Sequence, residues 1–201
     1  MKQHQNILIA GVGGQGNLVC GKTLAQAAVE EGYKPVVGQI FGASRRGGTV
    51  QTHVRISNSN LGPLIPRGDV HIILGLEPME TLRAAIEYAG PETIALMSET
   101  PVQTVDSLAG RKLYPRLDEL RGSLSALARR VYSVDPTETL EDLGTYRVQN
   151  SYMLGALCGI QTARLSKESI KTGLIEIVGR SQPNTEAFEE GLKAGRCAVS
   201  E

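Results

Sequence analysis

The chain opens on Ile7-Leu8-Ile9-Ala10, an apolar run that ends in Gly11-Val12-Gly13-Gly14-Gln15-Gly16 and passes straight into a helical pattern. A buried strand, a Gly-x-Gly-x-x-Gly turn and a helix in that order leave few folds open. Gly11 allows the tight turn, Gly13 lets backbone amides come close to a phosphate, and Gly16 lets the helix lie against the strand. The helix start then offers unpaired N–H groups and a partial positive charge to an anion. The expectation is a phosphate-binding strand–turn–helix.

Ordinary NAD is disfavoured as the ligand. Such a site carries an Asp or Glu about 20 residues past the glycines to hold the ribose hydroxyls. The second strand, Lys34-Pro-Val-Val-Gly-Gln-Ile-Phe-Gly42, holds no carboxylate, and the loop after it, Ala43-Ser44-Arg45-Arg46-Gly47-Gly48-Thr49, is basic. Arginine there suits either the phosphorylated ribose of NADP or another phosphorylated ligand.

The rest of the chain alternates strands and helices. The first helix is expected from Gly14 to Glu31, with Leu18, Ala25, Ala28 and Val29 on its buried stripe and Gly32 as its C-terminal cap. Strand three, Thr49 to Ile56, alternates apolar and polar residues, which predicts a wetter face and an edge or antiparallel position. Asp69 to Glu77 reads as a buried parallel strand, with Pro78 opening a helix to Tyr88. Another strand covers Thr93 to Met97, followed by an apolar run near Lys112 to Tyr114. A helix between Pro115 and Arg130 carries Leu117, Leu120, Leu124 and Leu127 on one face, and Val131 to Val134 is a short strand. Beyond Val148 three helices are expected, Tyr152 to Arg164, Lys167 to Ile177 and Thr185 to Gly195, with Ser166 and Asn184 as start signals. The prediction is an α/β fold: a Rossmann-like three-layer sandwich with a mostly parallel sheet and a helical C-terminal portion, in one domain over residues 1–201.

Composition narrows the function. Lysine plus arginine equals aspartate plus glutamate at 21 each, so no basic excess draws the chain to nucleic acid. Zero net charge also gives little colloidal repulsion, which favours life inside a complex. No apolar stretch is long enough for a membrane span, and the polar N-terminus leaves no room for a signal peptide, so a cytoplasmic protein is expected. Cys20, Cys158 and Cys197 are far apart and form no Cys-x-x-Cys pair, so this chain supplies neither an iron–sulfur cluster nor a zinc site. No metal ligands and no catalytic residues are assigned.

With these motifs in place, the chain resembles the gamma-type subunits of the 2-oxoacid:ferredoxin oxidoreductases, most of all the indolepyruvate type, whose small subunit is called beta. The likeness rests on Gly11-Val-Gly-Gly-Gln-Gly16, on Phe41-Gly-Ala-Ser-Arg-Arg-Gly-Gly-Thr-Val50 with His53-Val-Arg55, on Pro63-Leu-Ile-Pro66, and on Leu74-Gly-Leu-Glu77-Pro-Met-Glu-Thr-Leu-Arg83. A weaker piece is Asn150 leading into Met153-Leu-Gly-Ala156. Together these cover essentially the whole chain as a pyruvate/ketoisovalerate oxidoreductase gamma-type domain. One position departs: Arg45 stands where the indolepyruvate type often has Gln.

The resemblance implies oxidative decarboxylation of a 2-oxoacid to acyl-coenzyme A. Thiamine diphosphate, magnesium and iron–sulfur clusters would belong to a large partner subunit, with ferredoxin reached through that complex. This chain would then be a required but non-catalytic subunit, inactive in isolation; whether it self-associates through surface meant for the partner is left open by the sequence. By the same analogy coenzyme A would lie at the glycine turn, with Gly11, Gly13, Gly14, Gln15, Gly16, Arg45, Arg46, Gly47 and Gly48 as the cofactor-binding residues.

Plainer readings stand beside these. The glycines form either a ligand turn or a purely structural one, and Arg45-Arg46-Gly47-Gly48 either captures phosphate or pairs with a partner's carboxylates. Glu77 is read as a helix cap, His53 and His71 as packing or hydrogen-bonding groups, and Cys20 as a small buried side chain; Asn150 either caps the following helix, with Ser151 as a competitor, or turns toward the ligand cleft, and capping is favoured. Two other functions remain open: a stand-alone NADP(H)- or coenzyme A-binding Rossmann-like protein, and a regulatory module sensing coenzyme A or a nucleotide.

Overall fold

A computed structural model describes residues 4–42, 48–102 and 113–200. Six strands form one sheet: β1 His4–Val12, β2 Lys34–Phe41, β3 Thr49–Ser57, β4 Val70–Gly75, β5 Ala89–Ser98 and β6 Arg130–Val134, in the order β2-β3-β1-β4-β5-β6. The pairs β1–β4, β4–β5 and β5–β6 are parallel, whereas β3 runs antiparallel to both β1 and β2. The helices are α1 Asn17–Glu30, α2 Pro78–Tyr88, α3 Leu117–Ser125, α4 Thr137–Asp142, α5 Gln149–Gly159, α6 Lys167–Val178 and α7 Gln182–Ser200.

The period-two alternation of the strands feeds two cores. Ile7 and Ile9 point into one with Leu24 of α1, Leu154 of α5, Ile170 of α6 and Phe188 of α7. Leu8 and Ala10 point into the other with Ala84 and Ala85 of α2 and Leu124 of α3. The result is the expected three-layer sandwich with a mostly parallel sheet and a helical tail.

Several expectations needed correction. β3 is antiparallel, one of the two positions expected for it, but it is neither an edge nor wet on one face: the edge is β2, and Gln51, His53 and Arg55 are buried. The 58–66 connection brings partners to two of them, since Arg55 donates to the Gly62 and Leu64 carbonyls at 3.1 and 3.2 Å and the Ile65 N–H donates to His53 Nδ1 at 3.2 Å. The buried stripe of α1 is Cys20, Thr23, Leu24, Ala27 and Ala28, while Leu18 and Val29 are 40% and 56% exposed. A period of 3.6 fits either stripe; the sheet selects the one led by small side chains. Leu127, expected on the buried face with Leu120 and Leu124, lies beyond α3 and is exposed.

The tail departs further. α5 begins at Gln149 rather than Tyr152, and α7 at Gln182, so Asn184 is inside a helix and accepts a hydrogen bond from Ser151 Oγ at 2.6 Å. Ser166 does cap α6, accepting from the Ser169 N–H at 3.1 Å. α5 and α7 meet through glycine on both sides. A Cβ on Gly155 would stand 1.9 Å from the Phe188 carbonyl oxygen, and one on Gly191 the same distance from that of Tyr152. The Gly-x-x-x-Gly spacings of 155/159 and 191/195 put one small residue per turn on each facing side.

At the amino ends of β1 and β4, polar groups are tied together. Arg55 Nε donates to Asn6 Oδ1 at 3.1 Å, Asn6 Nδ2 donates to Asp69 Oδ2 at 2.8 Å, and His4 lies 3.2 Å from the same oxygen. His71 Nδ1 accepts the Asn6 N–H at 3.1 Å, so its proton sits on Nε2 and the ring serves as an acceptor here.

Candidate functional site

α1 leaves β1 toward the β2–β3 side on one face of the sheet, and α2 leaves β4 on the other. The connections therefore diverge between β1 and β4, and the crevice beyond their carboxyl ends is where open α/β sheets hold ligands. Two helix N-termini face this region. They are treated very differently.

The start of α2 is filled by the chain itself. Glu77, 1% exposed, adopts the extended cap conformation, and its carboxylate accepts the Glu80 N–H at 2.8 Å. The Tyr114 hydroxyl accepts the Met79 N–H at 3.2 Å and donates to Glu77, which also accepts the Val102 N–H at 3.3 Å. Burial pushes the Glu77 carboxyl above its ordinary range, opposed by these three hydrogen bonds, and burial with the neighbouring carboxylate pushes the Tyr114 phenol up. Pro78 supplies no N–H and needs none. Glu77 is thus the cap its sequence position suggested.

The start of α1 is open. Gly16 is the cap residue at φ 86°, a left-handed conformation, and no side chain caps the helix. Its first-turn amides border a cavity of about 320 Å³ lined by Gly13, Gly14, Gly16 and Asn17 on one side and Gln39 and Phe41 on the other. Gly14 has φ 110°, and a Cβ built on it meets nothing within 4 Å, so it faces open space. All described lining residues are uncharged.

The sequence-predicted residues divide into three groups. Gly13, Gly14 and Gly16 line the cavity, and Gly48 is brought to the turn because its carbonyl accepts the Gly13 N–H at 2.9 Å. Gly11 and Gln15 lie beneath the turn: a Cβ on Gly11 would be 2.7 Å from Gln15 Oε1, and the Gln15 side chain bonds to the chain's own backbone. Arg45, Arg46 and Gly47 lie outside the described residues. The turn also differs from a dinucleotide site in one respect that its motif does not reveal. β2 runs in the same direction as β1 but with β3 between them, so its carboxyl end is about 10 Å away, two strand spacings. A residue at the tip of β2 is one strand too distant for the usual ribose contact.

Sequence reasoning missed Asn17 and Gln149, and of its two readings of Asn150 it favoured the cap over the turn toward the cleft. Asn17 is 3% exposed; its Nδ2 donates to the Val12 carbonyl at 3.1 Å, which fastens the helix start to the strand end. Asn150 is the second residue of α5, not its cap, and its side chain lies under the turn, 2.6 Å from where a Cβ on Gly16 would be. Gln149 Nε2 donates to the Leu76 carbonyl at 2.8 Å and to Ser98 Oγ at 3.1 Å. The weak Asn150 to Ala156 likeness was the only pointer to this segment. Cys20 Sγ donates to the Asn150 carbonyl at 3.7 Å, and complete burial pushes its thiol up to about 12, so it is a packing group rather than a nucleophile. Burial holds His53 below the usual imidazole range and therefore neutral.

Comparison with known proteins agrees over nearly the whole chain. The family model described as pyruvate ferredoxin/flavodoxin oxidoreductase matches residues 6–194. Indolepyruvate oxidoreductase subunit IorB of Thermococcus kodakarensis is 34% identical over 98% of this chain and 98% of its own length. Its counterpart from Archaeoglobus fulgidus is 33% identical, covering 85% of this chain and 84% of that one. Among solved structures, the gamma subunit of a keto/oxoacid ferredoxin oxidoreductase from Geobacter sulfurreducens superposes with a TM-score of 0.66 at 22% identity, over 96% of this chain and 99% of the other. A 2-oxoglutarate:ferredoxin oxidoreductase from Magnetococcus marinus, with 2-oxoglutarate, coenzyme A and succinyl-CoA bound, gives 0.72 at 20% identity, covering 98% of this chain and 32% of that chain. Among the described residues no helix is long and apolar enough to cross a membrane.

Proposed function

This chain belongs to the pyruvate ferredoxin/flavodoxin oxidoreductase family, as a small subunit of a 2-oxoacid ferredoxin oxidoreductase, and we propose that its complex is of the indolepyruvate type and binds coenzyme A at the glycine turn. The observation that carries the reading is the contrast between the two helix starts: the chain fills the N-terminus of α2 and leaves that of α1 uncapped beside a cavity. An uncapped helix start is suited to an anion, and coenzyme A brings a pyrophosphate and a ribose phosphate. The 201 residues work as one gamma-type domain. Arg45 and Arg46 supply the positive charge that the described lining lacks.

The large partner subunit carries thiamine diphosphate, magnesium and the iron–sulfur clusters, and passes electrons to ferredoxin. Three cysteines, one of them in the core, cannot furnish a four-thiolate cluster from this chain alone. The chain acts in the reducing cytoplasm, where unpaired thiols persist.

The test is reconstitution with the partner subunit under anaerobic conditions. Indolepyruvate-dependent ferredoxin reduction should require both subunits and coenzyme A. Gly14→Val, whose Cβ would meet no protein atom within 4 Å although its φ of 110° strains any side chain, should raise the KM for coenzyme A about tenfold or more. A small subunit that binds NADPH tightly and leaves the partner's activity unchanged would overturn the reading in favour of a stand-alone nucleotide-binding protein.

A further inference from the structure

We infer that Gln149, on a helix 134 residues from the glycine turn, is a positioning residue for coenzyme A, acting through Gln15. The inference rests on the reading of the turn as the coenzyme A site. Gln149 is 5% exposed and does not line the cavity, so it does not touch the ligand. Its Nε2 donates to the Leu76 carbonyl just past β4 and to Ser98 Oγ at the end of β5, at 2.8 and 3.1 Å. Its Oε1 accepts from Gln15 Nε2 at 3.3 Å, and Gln15 Nε2 also donates to the Leu76 carbonyl at 2.9 Å. The other end of the Gln15 amide, Oε1, accepts the Val12 N–H at 2.8 Å.

Two primary amides thereby lock together the carboxyl ends of β1, β4 and β5. Gln15 lies between Gly14 and Gly16, both of which have positive φ and little intrinsic preference for one conformation. Pinning its side chain at both ends fixes the peptide planes on either side, and so the direction in which the first amides of α1 point. Amides in a buried place are costly unless bonded, and here each oxygen and Nε2 has a partner of defined direction. Apolar side chains of equal volume would fill the same space without setting that direction.

The test uses the assembled two-subunit complex and measures KM for coenzyme A and kcat separately at pH 6 and pH 8. Gln149→Glu is close in shape but keeps a donor only while protonated. Burial raises its pKa above the ordinary value of about 4.3, so the acid form can still donate to the Leu76 carbonyl at the lower pH. At pH 8 its carboxylate faces that carbonyl and the Gln15 amide loses its register. The expected result is a KM for coenzyme A raised about five- to tenfold at pH 8 and by about twofold at pH 6, with kcat changed by less than about twofold. Gln149→Met, with no donor at any pH, should raise KM equally at both.

Gly159→Ala controls for mere destabilisation: its Cβ would press 2.6 Å from the Leu192 carbonyl oxygen, so it should lower Tm and leave KM alone. Unchanged KM in both Gln149 variants, with Gly14→Val still raising it, overturns the positioning role and keeps the coenzyme A site. If Gly14→Val also has no effect, the coenzyme A reading itself fails and takes this inference with it.

Discussion

The glycine turn between β1 and α1 and the seam between α5 and α7 both depend on glycine, for opposite reasons. In the turn, Gly14 and Gly16 have φ of 110° and 86°, values that other residues adopt at a cost, and the space in front of Gly14 is empty. In the seam, Gly155, Gly159, Gly191 and Gly195 lie within helices, where alanine would be the better choice, and their missing side chains are replaced by another helix's backbone. One region uses glycine to shape the chain and keep space open. The other uses it to abolish space. The first is the signature of a site built for something outside the chain, the second of a joint that holds the tail to itself.

That distinction can be broken most directly at the seam. Gly191→Ala would place a methyl 1.9 Å from the Tyr152 carbonyl oxygen, and neither helix can retreat without uncoupling the other contacts. A loss of about 3 kcal/mol or more is expected from denaturant unfolding. A loss under about 1 kcal/mol would mean that the helices slide apart cheaply and the seam is not a joint. Gly16→Ala sharpens the comparison because it combines both uses of glycine. The residue is left-handed, and its Cβ would meet the Asn150 side chain at 2.6 Å, a group that can move. A cost of about 2 kcal/mol is expected, most of it conformational. Adding Asn150→Ala should recover only the contact part, as measured by a double-mutant cycle. Gly122→Ala should have the smallest effect and the opposite sign. It lies in α3 with nothing within 4 Å of an added Cβ, so stability should rise by about 0.5–1 kcal/mol. A decrease would show that helical glycine in this chain serves something other than propensity.

The two cores show how burial pattern alone carried much of the architecture. Ile7-Leu8-Ile9-Ala10 is apolar at every position because each face of β1 is covered, and such a run reads directly as a central strand. Every described helix except the short α4 was also expected from the sequence, as was the Glu77-Pro78 start of α2, because a carboxylate cap and a first-turn proline are local devices. The failures were non-local. Alternation in β3 predicts an antiparallel strand correctly but a wet face wrongly, because the 58–66 connection brings the buried Arg55 and His53 carbonyl and amide partners. Asn184 and Asn150 have the residue type of caps, but their side chains serve Ser151 and the glycine turn instead.

By itself, then, the sequence determined the strand–turn–helix at the start, the α/β alternation and the family, because each is written in contiguous residues whose spacing fixes their geometry. Only the tertiary structure decided that β3 would slip between β1 and β2, that one helix start would be filled and the other left open, and that Gln149 would reach Gln15 across 134 residues. The physical reason is that strand neighbours and buried hydrogen-bond partners are chosen by which groups must escape water together, and that choice is made among distant segments at once.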